Sequence, residues 1–492
     1  MAANYDKVVD IALRRGFFFP SAEIYRGIAG VWTYGHLGTL MKRKFETRWR
    51  DFFLQLDDNF YEIDGSYILP QKVFEASGHL KNFNDPLAEC KSCHTRYRAD
   101  NLIEETLKAD ASVLSTQEID KLLKDKKVKC PNCSKSDFLP TRWFNMMFDL
   151  RVGATGNETA YLTPETAQNP FVSIKREFSA LREKLPLGLA MIGRAFRNEI
   201  SPRQAFFRLR EFTQAELQIF FDSAKIDEHN GWKSIRNYKL RLLLAKDAAK
   251  GKLTEITLED ANKKLKLPKF YLYHLAQMQK FYLDVLEIPR EKLRLRELHD
   301  KERAFYNKIH FDVELNLETL GGFKEVAGCH YRSDHDLSAH QKVSGEKLEV
   351  FYENKRFIPH VLEISFGIDR NIFALLDLFY KEDSERSWFS FSAELAPIEV
   401  AVFPLVSKDK LPELSVKVYD ELKDEFQAFY DESGSIGKRY RRADEIGVPF
   451  CITIDHDSLK KKDVTVRMRD DMKQKRVKIK DLKDHLCKLY CD

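Results

Sequence analysis

The stretch 193–221 constrains the fold most, because it joins two strand-like arms through a polar loop marked by Ser201 and Pro202. Alternate side chains of a strand share one face. We therefore expect one sheet surface to carry two guanidiniums, a ring and two carboxylates: Arg197, Glu199, Arg208, Phe212 and Glu216. Arginine forks bind phosphate oxygens, an aromatic ring stacks on a base, and a carboxylate accepts from an exocyclic amine. The pattern predicts a nucleoside triphosphate site; a surface hairpin with ordinary cross-strand ion pairs is the alternative.

Two segments of this stretch resemble the second signature motif of class II aminoacyl-tRNA synthetases, Phe-Arg-x-Glu followed by Arg-x-x-x-Phe. They are Phe196-Arg197-Asn198-Glu199 and Arg208-Leu209-Arg210-Glu211-Phe212. With its flanks, the stretch is most similar to the glycyl enzymes of the dimeric, archaeal and eukaryotic kind, and the resemblance covers nearly the whole chain. It implies an α+β fold: an antiparallel sheet flanked by helices, a zinc-knuckle and helical insertion, and a C-terminal α/β anticodon-binding domain.

Composition sets the broad class of the protein. A chain of 492 residues is too long for one core, so we expect two or three domains. With 43% hydrophobic and 32% charged residues the chain is globular rather than disordered. The net charge of +5 is too weak to indicate nucleic acid by itself. The sequence has no long apolar run and no signal-peptide core, which predicts a cytoplasmic protein without a membrane span.

The resemblance also implies the domain organisation. A catalytic domain is expected over residues 1–385, with a zinc-knuckle insertion at 88–140 and a mostly helical insertion at 223–308 between the second and third motifs. The anticodon-binding domain is expected over residues 396–492. A long helical pattern from Tyr34, followed by strand-like residues 66–70, resembles the first class II motif, which forms the dimer interface in that family. A homodimer is therefore expected, although a core helix and strand explain the pattern equally well.

Eight cysteines include two Cys-x-x-Cys pairs. They are Cys90 with Cys93, and Cys130 with Cys133. Each pair presents two thiolates to one ion, and four thiolates suit tetrahedral zinc. Four sulfurs leave no open position, so the predicted zinc site is structural. Four unligated thiols are the alternative, and redox activity ranks lower still.

The segment Gly367-Ile368-Asp369-Arg370 resembles the third class II motif and leads into an apolar helical pattern. The resemblance implies these ATP-binding residues: Arg197, Asn198, Glu199, Phe207, Arg208, Leu209, Phe212, Glu325, Val326 and Arg370. Arg197 and Arg370 are the candidate catalytic residues, the first at the α-phosphate and the attacking carboxylate, the second at the γ-phosphate with Arg208. Phe212 is expected to stack on adenine and Glu199 to accept from its amino group. Mg²⁺ is expected on the phosphates, with Glu325 as its candidate ligand.

Other segments resemble the amino-acid site of the glycyl enzymes. The implied glycine-binding residues are Arg98, Glu165, Glu216, Arg332, Glu363 and Ser365. A pocket cannot hold a missing side chain, so it has to bind the ammonium group and exclude anything larger. Glu165, Glu216 and Glu363 around the ammonium group, with Ser365 filling the space beside it, fit that requirement. The chain departs from the family pattern at Asn169, Gln218 and Ile364.

From Pro397 onward, strand and helix patterns alternate, with a helix predicted at residues 414–430. The pattern resembles the anticodon-binding domain of glycyl, threonyl, prolyl and histidyl synthetases. Basic side chains at residues 438–442 and 460–462 are candidate contacts to tRNA phosphates. A solvated helix face is the ordinary alternative.

The function implied by the resemblance is glycine–tRNA ligation: glycine and ATP give glycyl-adenylate and pyrophosphate, and the glycyl group passes to the 3′ end of tRNA(Gly). Family members also join two ATP molecules into diadenosine tetraphosphate. A threonyl or prolyl enzyme would share the ATP residues but needs a different pocket, which residues 363–365 argue against. A tRNA-binding paralogue without activity would usually lose the motif arginines, whereas Arg197, Arg208 and Arg370 are all present.

Overall fold

The computed structural model describes residues 2–109, 111, 114–202, 205–299, 302–303 and 307–491. Its helices are α1 (Ala2–Arg15), α2 (His36–Phe53), α3 (Gln71–Ala76), α4 (His79–Asn82), α5 (Ala99–Leu107), α6 (Thr116–Asp125), α7 (Gln168–Ala180), α8 (Trp232–Ile235), α9 (Leu258–Leu265), α10 (Lys269–Lys280), α11 (His335–Ser344), α12 (Ile368–Phe379), α13 (Leu411–Leu422), α14 (Ile436–Glu445), α15 (His456–Lys461) and α16 (Leu482–Cys491). Among these described residues, no helix is long and apolar enough to cross a membrane.

The strands are β1 (Phe18–Pro20), β2 (Trp32–Tyr34), β3 (Phe60–Glu62), β4 (Ile68–Pro70), β5 (Asn84–Glu89), β6 (Arg96–Arg98), β7 (Arg142–Asn145), β8 (Asp149–Val152), β9 (Glu158–Leu162), β10 (Leu187–Phe196), β11 (Glu211–Phe221), β12 (Lys239–Leu243), β13 (Thr254–Thr257), β14 (Leu293–Glu297), β15 (Ile309–Leu317), β16 (Gly322–Ser333), β17 (Val350–Tyr352), β18 (Lys355–Phe357), β19 (His360–Gly367), β20 (Tyr380–Glu382), β21 (Ser387–Phe389), β22 (Val400–Pro404), β23 (Ala428–Tyr430), β24 (Phe450–Ile454), β25 (Asp463–Met468) and β26 (Gln474–Lys478).

A nine-stranded sheet forms the centre of the molecule, in the order β13-β12-β14-β15-β16-β19-β11-β10-β3. Its strands pair antiparallel except β3 with β10 and β12 with β14. This architecture confirms the predicted antiparallel sheet flanked by helices. Segment 223–308 holds helices, as expected, and it also contributes β12, β13 and β14 to the sheet.

One face of this sheet carries the main hydrophobic core. Ala215 and Leu217 of β11, together with Ile364 and Phe366 of β19, are buried in one cluster with residues of α2, α10 and α12. In α2 the buried positions Met41, Phe45, Trp49 and Phe53 recur every four residues, which gives the helix one apolar face. Because side chains alternate, the remaining residues of β11 and β19 face the opposite side.

That opposite side holds the polar residues, and α7 and α11 cover its far end. Phe171 of α7 and Leu337 of α11 share a small core with Leu189 of β10 and Phe220 of β11. The layer of polar side chains is therefore closed at one end and open at the other. This arrangement makes a cleft on the sheet.

The second-motif stretch departs from the expected pair of arms. β10 ends at Phe196, so Arg197 and Glu199 lie just beyond the strand, and Arg208 precedes β11. The prediction that these three side chains share strand faces is wrong. Phe212 and Glu216 do share a face, because they lie four residues apart within the continuous strand β11.

The C-terminal domain is a five-stranded sheet, β23-β22-β24-β25-β26, covered by α13–α16. This confirms a small α/β domain. The helix predicted at residues 414–430 is too long, because α13 ends at Leu422 and residues 428–430 form β23, which pairs with β22. The cysteine pairs lie in a separate small unit built from the three-stranded sheet β6-β5-β7 with α5 and α6.

Candidate active site

The cleft on the nine-stranded sheet has a cavity volume of about 240 Å³. It brings together twelve of the side chains that the sequence singled out: Glu165, Arg197, Glu199, Phe207, Arg208, Leu209, Phe212, Glu216, Glu325, Glu363, Ser365 and Arg370. The predicted nucleotide and amino-acid residues therefore line one continuous space. A concave cleft with convergent polar groups has the character of a small-molecule site.

Strand register explains why the acidic residues meet. Glu216 of β11 lies opposite Ser365 of β19, and Gln218 lies opposite Glu363. On the other side of β19, Glu363 lies opposite His330 of β16. Cross-strand neighbours on one face have Cβ atoms about 5 Å apart, so these side chains touch across three strands.

Glu216 is buried and receives neutral hydrogen-bond donors. Ser365 Oγ donates to its Oε1 and Thr166 Oγ1 to its Oε2, both at 2.7 Å, and Gln214 Nε2 donates to Oε1 at 2.9 Å. Burial raises the pKa of Glu216 to about 7, helped by the nearby carboxylates of Glu363 and Glu165. A cation that enters the cleft would therefore stabilise the ionised form of Glu216.

The other two acids already have cationic partners. Arg332 Nη1 donates to Glu363 Oε2 at 3.0 Å, and Arg332 Nη2 lies 3.7 Å from Glu165 Oε1. Burial acts to raise the pKa of Glu363, but Arg332 and His330 outweigh it and bring the pKa to about 2. Burial likewise raises the pKa of Glu165, but His79 and Arg332 outweigh it and hold that pKa well below its ordinary value.

Arginines and aromatic rings line the other end of the cleft. The Arg197 guanidinium lies 5.1 Å from the Phe212 ring centroid, and its Nε donates to the Pro164 carbonyl at 3.1 Å. Arg370 lies 5.5 Å from the Phe207 ring centroid and pairs with Glu325 at 3.0 Å. Cation–π contacts and ion pairs of this kind hold the guanidiniums in place without saturating their donors.

Asp369 fixes the start of α12 to the strand that carries Phe212. Its Oδ2 accepts from the Thr213 backbone N–H of β11, and its Oδ1 accepts from Tyr34 Oη at 2.6 Å. Asp369 is buried. The two hydrogen bonds set the position of the adjacent Arg370 at the cleft rim.

Four predicted site residues lie outside the cleft lining. Val326 is buried in the core, and the Asn198 backbone N–H donates to the Met146 carbonyl. Arg98, the last residue of β6, pairs with Asp85 of β5 at 3.0 Å and with Asp100 of α5 at 2.9 Å. Arg332 is buried behind the acids, where Asp336 accepts from two of its nitrogens at 2.8 Å.

Sequence reasoning missed several polar residues of the cleft and its wall. They are His79, Thr166, Gln168, Gln214, His310, Asp312 and His330. Gln168 Nε2, for example, donates to Glu165 Oε1 at 2.8 Å. The alternation of β15 could have indicated His310 and Asp312, because they occupy polar positions between the apolar Ile309, Phe311 and Val313.

Comparison with known proteins identifies the family. Residues 148–379 match the model of the tRNA synthetase class II core domain (G, H, P, S and T), and residues 399–489 match the anticodon binding domain. The glycine–tRNA ligase of Pyrococcus abyssi is 38% identical, with 97% of each chain covered. That of Thermococcus gammatolerans is 37% identical, covering 99% of this chain and 98% of its own.

The chain belongs to the glycine–tRNA ligase family. The resemblance seen in the sequence is thereby confirmed. A solved prolyl-tRNA synthetase from Cryptosporidium parvum, in complex with L-proline and AMP, has the same fold. It aligns with a TM-score of 0.60 at 13% identity over 99% of this chain and 75% of that one.

The four cysteines of this glycine–tRNA ligase family member converge as predicted. Sγ atoms of Cys90 and Cys133 lie 3.6 Å apart, as do those of Cys93 and Cys130. Tetrahedral zinc with Zn–S bonds of about 2.3 Å requires sulfurs about 3.8 Å apart, so the set fits the ion. Both knuckles turn alike: the fifth residue of each, His94 and Ser134, has positive φ and donates its N–H to the first cysteine's carbonyl.

In the anticodon-binding domain, the basic helix α14 contains residues with different roles. Arg439 is buried and donates to the carbonyls of Pro404 and Leu405, so it is a structural residue rather than a phosphate contact. Arg442 pairs with Asp431. Lys438 and Arg441 are exposed. Lys438 and Arg441 therefore remain the candidate contacts to tRNA phosphates in this segment.

Proposed function

We propose that this chain activates glycine with ATP to form glycyl-adenylate and pyrophosphate, and then transfers the glycyl group to the 3′ end of tRNA(Gly). The observation that carries the proposal is the single cleft in which three buried glutamates adjoin a set of arginines. One end suits an ammonium group and the other suits phosphates. The family relationship agrees with both halves of the reaction.

The acidic end selects glycine in this proposal. Glu216 holds the substrate ammonium, since its present donors are neutral, whereas Glu165 and Glu363 already contact Arg332. Ser365, fixed by its hydrogen bond to Glu216, occupies the space that a larger side chain needs. Steric exclusion then rejects alanine, which apolar attraction alone would separate from glycine only weakly.

The basic end performs activation by positioning and charge neutralisation, which displacement at phosphorus requires more than a protein nucleophile. Arg197, whose Nε bonds the carbonyl of Pro164 next to Glu165, is assigned to the α-phosphate and the attacking carboxylate. Arg208 and Arg370 are assigned to the γ-phosphate, Phe212 to the adenine ring and Glu199 to its amino group. Mg²⁺ would neutralise phosphate charge, and Glu325, a carboxylate at the rim beside Arg370, is its candidate ligand.

The cysteine cluster holds a structural Zn²⁺ in this proposal, because four thiolates saturate a tetrahedral ion. The exposed Lys438, Arg441 and residues 460–462 contact phosphates of the tRNA. Cytoplasmic localisation and diadenosine tetraphosphate synthesis remain predictions from the family resemblance.

We also assign a homodimer through the first-motif region. In support, β3 is an edge strand of the central sheet, and Tyr61 of β3 and Ile68 of β4 are 40% and 50% exposed. Sedimentation equilibrium should give twice the chain mass of 57.6 kDa. A mass of one chain at micromolar concentration contradicts the dimer.

Aminoacylation of tRNA with radiolabelled glycine tests the proposed function, with Arg197→Ala as the critical variant. Loss of a positioned donor in a dry site typically lowers kcat 100- to 1000-fold, and we expect a loss of about that size. The matched control is Arg151→Ala on β8, an exposed arginine that bonds Thr159 outside the cleft. Equal rates in both variants contradict the role of Arg197.

A further inference from the structure

Three side chains of β15 and β16 that the proposed reaction does not use converge on the floor of the cleft. They are His310, Asp312 and His330, and one potential ligand atom of each lies within 4.8 Å of the others. All three line the cleft. Two imidazoles and a carboxylate form a donor set that binds first-row transition metals and leaves coordination positions open.

Strand register builds the cluster. His310 and Asp312 are two residues apart on β15, so they share a face, and His330 of β16 is the cross-strand partner of His310. Asp312 lies opposite Gly328, and a Cβ at Gly328 would lie 2.5 Å from His330 Nε2. Glycine at this position therefore lets the His330 ring lie across the strand, next to Asp312.

The hydrogen bonds outside the cluster leave the right nitrogens facing inward. His330 Nδ1 bonds Glu363 Oε1, and the side-chain amide of Asn307 lies 3.3 Å from His310 Nδ1. With that amide turned by 180°, its otherwise unpartnered Oδ1 accepts from His310 Nδ1–H, which leaves Nε2 unprotonated. The Nε2 atoms of both rings are left for the cluster. Metal-bound histidines characteristically donate their second ring N–H to a carboxylate, which is the relation of His330 to Glu363.

The spacing inside the cluster also suits a shared ion. His310 Nε2 lies 2.8 Å from Asp312 Oδ1, and the two imidazole centroids lie 4.1 Å apart, nearly perpendicular. Ligand atoms that are each about 2.1 Å from one ion stand roughly 3 Å from each other. Small side-chain movements therefore convert the present contacts into coordination. A hydrogen-bonded pair of side chains without metal is the alternative outcome.

We propose that His310 Nε2, the Asp312 carboxylate and His330 Nε2 bind a divalent transition-metal ion on the floor of the cleft, with an open position towards its interior. The site is separate from the four cysteines, which lie in another unit of the fold. It also differs in chemistry from a Mg²⁺ site at Glu325, because imidazole nitrogen suits zinc, iron, cobalt or nickel, whereas Mg²⁺ prefers oxygen. The open position offers a Lewis-acid contact to a nitrogen or oxygen of whatever occupies the cleft.

Cobalt titration of the full-length, metal-depleted protein tests this proposal without relying on catalysis. The wild type should bind two equivalents of Co²⁺ per chain, one with the intense near-ultraviolet absorption of thiolate coordination and one without it. His310→Ala and His330→Ala should each retain the thiolate equivalent and lose the other. The matched control is His360→Ala, a histidine of the adjacent strand β19 that bonds Tyr331 and lies outside the cluster.

X-ray absorption at the zinc edge of the wild type, loaded with two equivalents, decides the question even if a variant fails to fold. Scattering from nitrogen and oxygen ligands beside the sulfur shell supports the site. A pure sulfur shell with one bound equivalent overturns the proposal. So does a second equivalent that persists in both histidine variants.

Discussion

At the scale of the residue, Glu216 is the proposed partner of the substrate ammonium group. Its three donors are neutral, whereas Glu165 and Glu363 share Arg332. Glu216→Gln keeps the shape of the side chain and removes the charge. We expect the KM for glycine to rise about 30-fold, the equivalent of ~2 kcal/mol for a charged hydrogen bond, while the KM for ATP stays nearly constant.

A companion variant is Gln214→Glu, which adds a carboxylate beside Glu216 on the same face of β11. Like charges disfavour ionisation, so this variant should weaken glycine binding at neutral pH and recover it at higher pH. Equal losses for glycine and ATP in Glu216→Gln would argue against an ammonium site.

The raised pKa of Glu216 makes stability depend on pH. The folded pKa is about 7 against an ordinary value of 4.5, so between these values the folded state binds more protons than the unfolded state. The contribution of this group is present below pH 4.5 and is lost as the pH rises through 7. Glu216→Gln lacks the buried charge, so we expect its thermal midpoint to exceed that of the wild type at pH 8.

Thermal unfolding at pH 5 and pH 8 checks this prediction. At pH 5 the wild-type side chain is protonated, so the difference between the two proteins should be small there. A difference that is the same at both pH values would show that Glu216 ionises normally in the folded protein.

At the scale of the element, α12 depends on Asp369 for its position. Asp369→Ala leaves the Thr213 N–H and the Tyr34 hydroxyl without their shared acceptor in a buried place. We expect a loss of about 3 kcal/mol in unfolding free energy, since each buried unsatisfied group costs roughly 1–3 kcal/mol. Because Arg370 follows directly, the KM for ATP should rise as well.

Tyr34→Phe is the matched comparison, because it removes one of the two donors and leaves the carboxylate in place. Urea unfolding should show a loss of about 1 kcal/mol for this variant. If Asp369→Ala costs no more than Tyr34→Phe, the contact to the β11 backbone does not hold α12.

The sequence predicted which residues line the cleft better than it predicted where they lie relative to the strands. Phe212 and Glu216 keep the period of two because β11 continues through both. Arg197 and Arg208 do not, because the chain leaves the sheet at Phe196, and periodicity carries no signal of where a strand ends. These arginines still reach the cleft, since its rim lies at the strand ends.

The charge balance of the pocket could not be derived from sequence. Arg332 matches the family pattern, but its burial behind Glu363 depends on the pairing of β16 with β19, two strands that are distant in sequence. The same holds for the cluster of His310 and His330, which only cross-strand register brings together. Residues 239–243 also became a strand because tertiary pairing with β14 provided a partner.

At the scale of the whole molecule, Arg386 connects the catalytic and anticodon-binding parts. It directly precedes hairpin strand β21, and its Nη1 donates to Asp444 of α14 at 2.6 Å and to the Arg469 carbonyl at 2.8 Å. Phe389 of the same hairpin stacks edge-on against Phe17 of the catalytic part. The hairpin is thus packed on both parts of the molecule.

Arg386→Ala should loosen this connection by about 2 kcal/mol, because it removes charge-assisted hydrogen bonds from a buried place. In calorimetry we expect the unfolding of the two parts to separate into two transitions. The control is Lys7→Ala, which removes the exposed pair with Glu382 and should change little. A single transition in Arg386→Ala, unchanged from the wild type, would show that the parts are held together by other contacts.

The central claim is that one cleft activates glycine with ATP. The most direct measurement is ATP–pyrophosphate exchange with each of the twenty amino acids in turn, using folded, zinc-replete protein with and without tRNA. The account predicts exchange with glycine alone. Exchange with another amino acid would preserve the ATP site and refute the roles of Glu216 and Ser365. Absence of exchange with all twenty amino acids would contradict the proposed function and favour a binding protein.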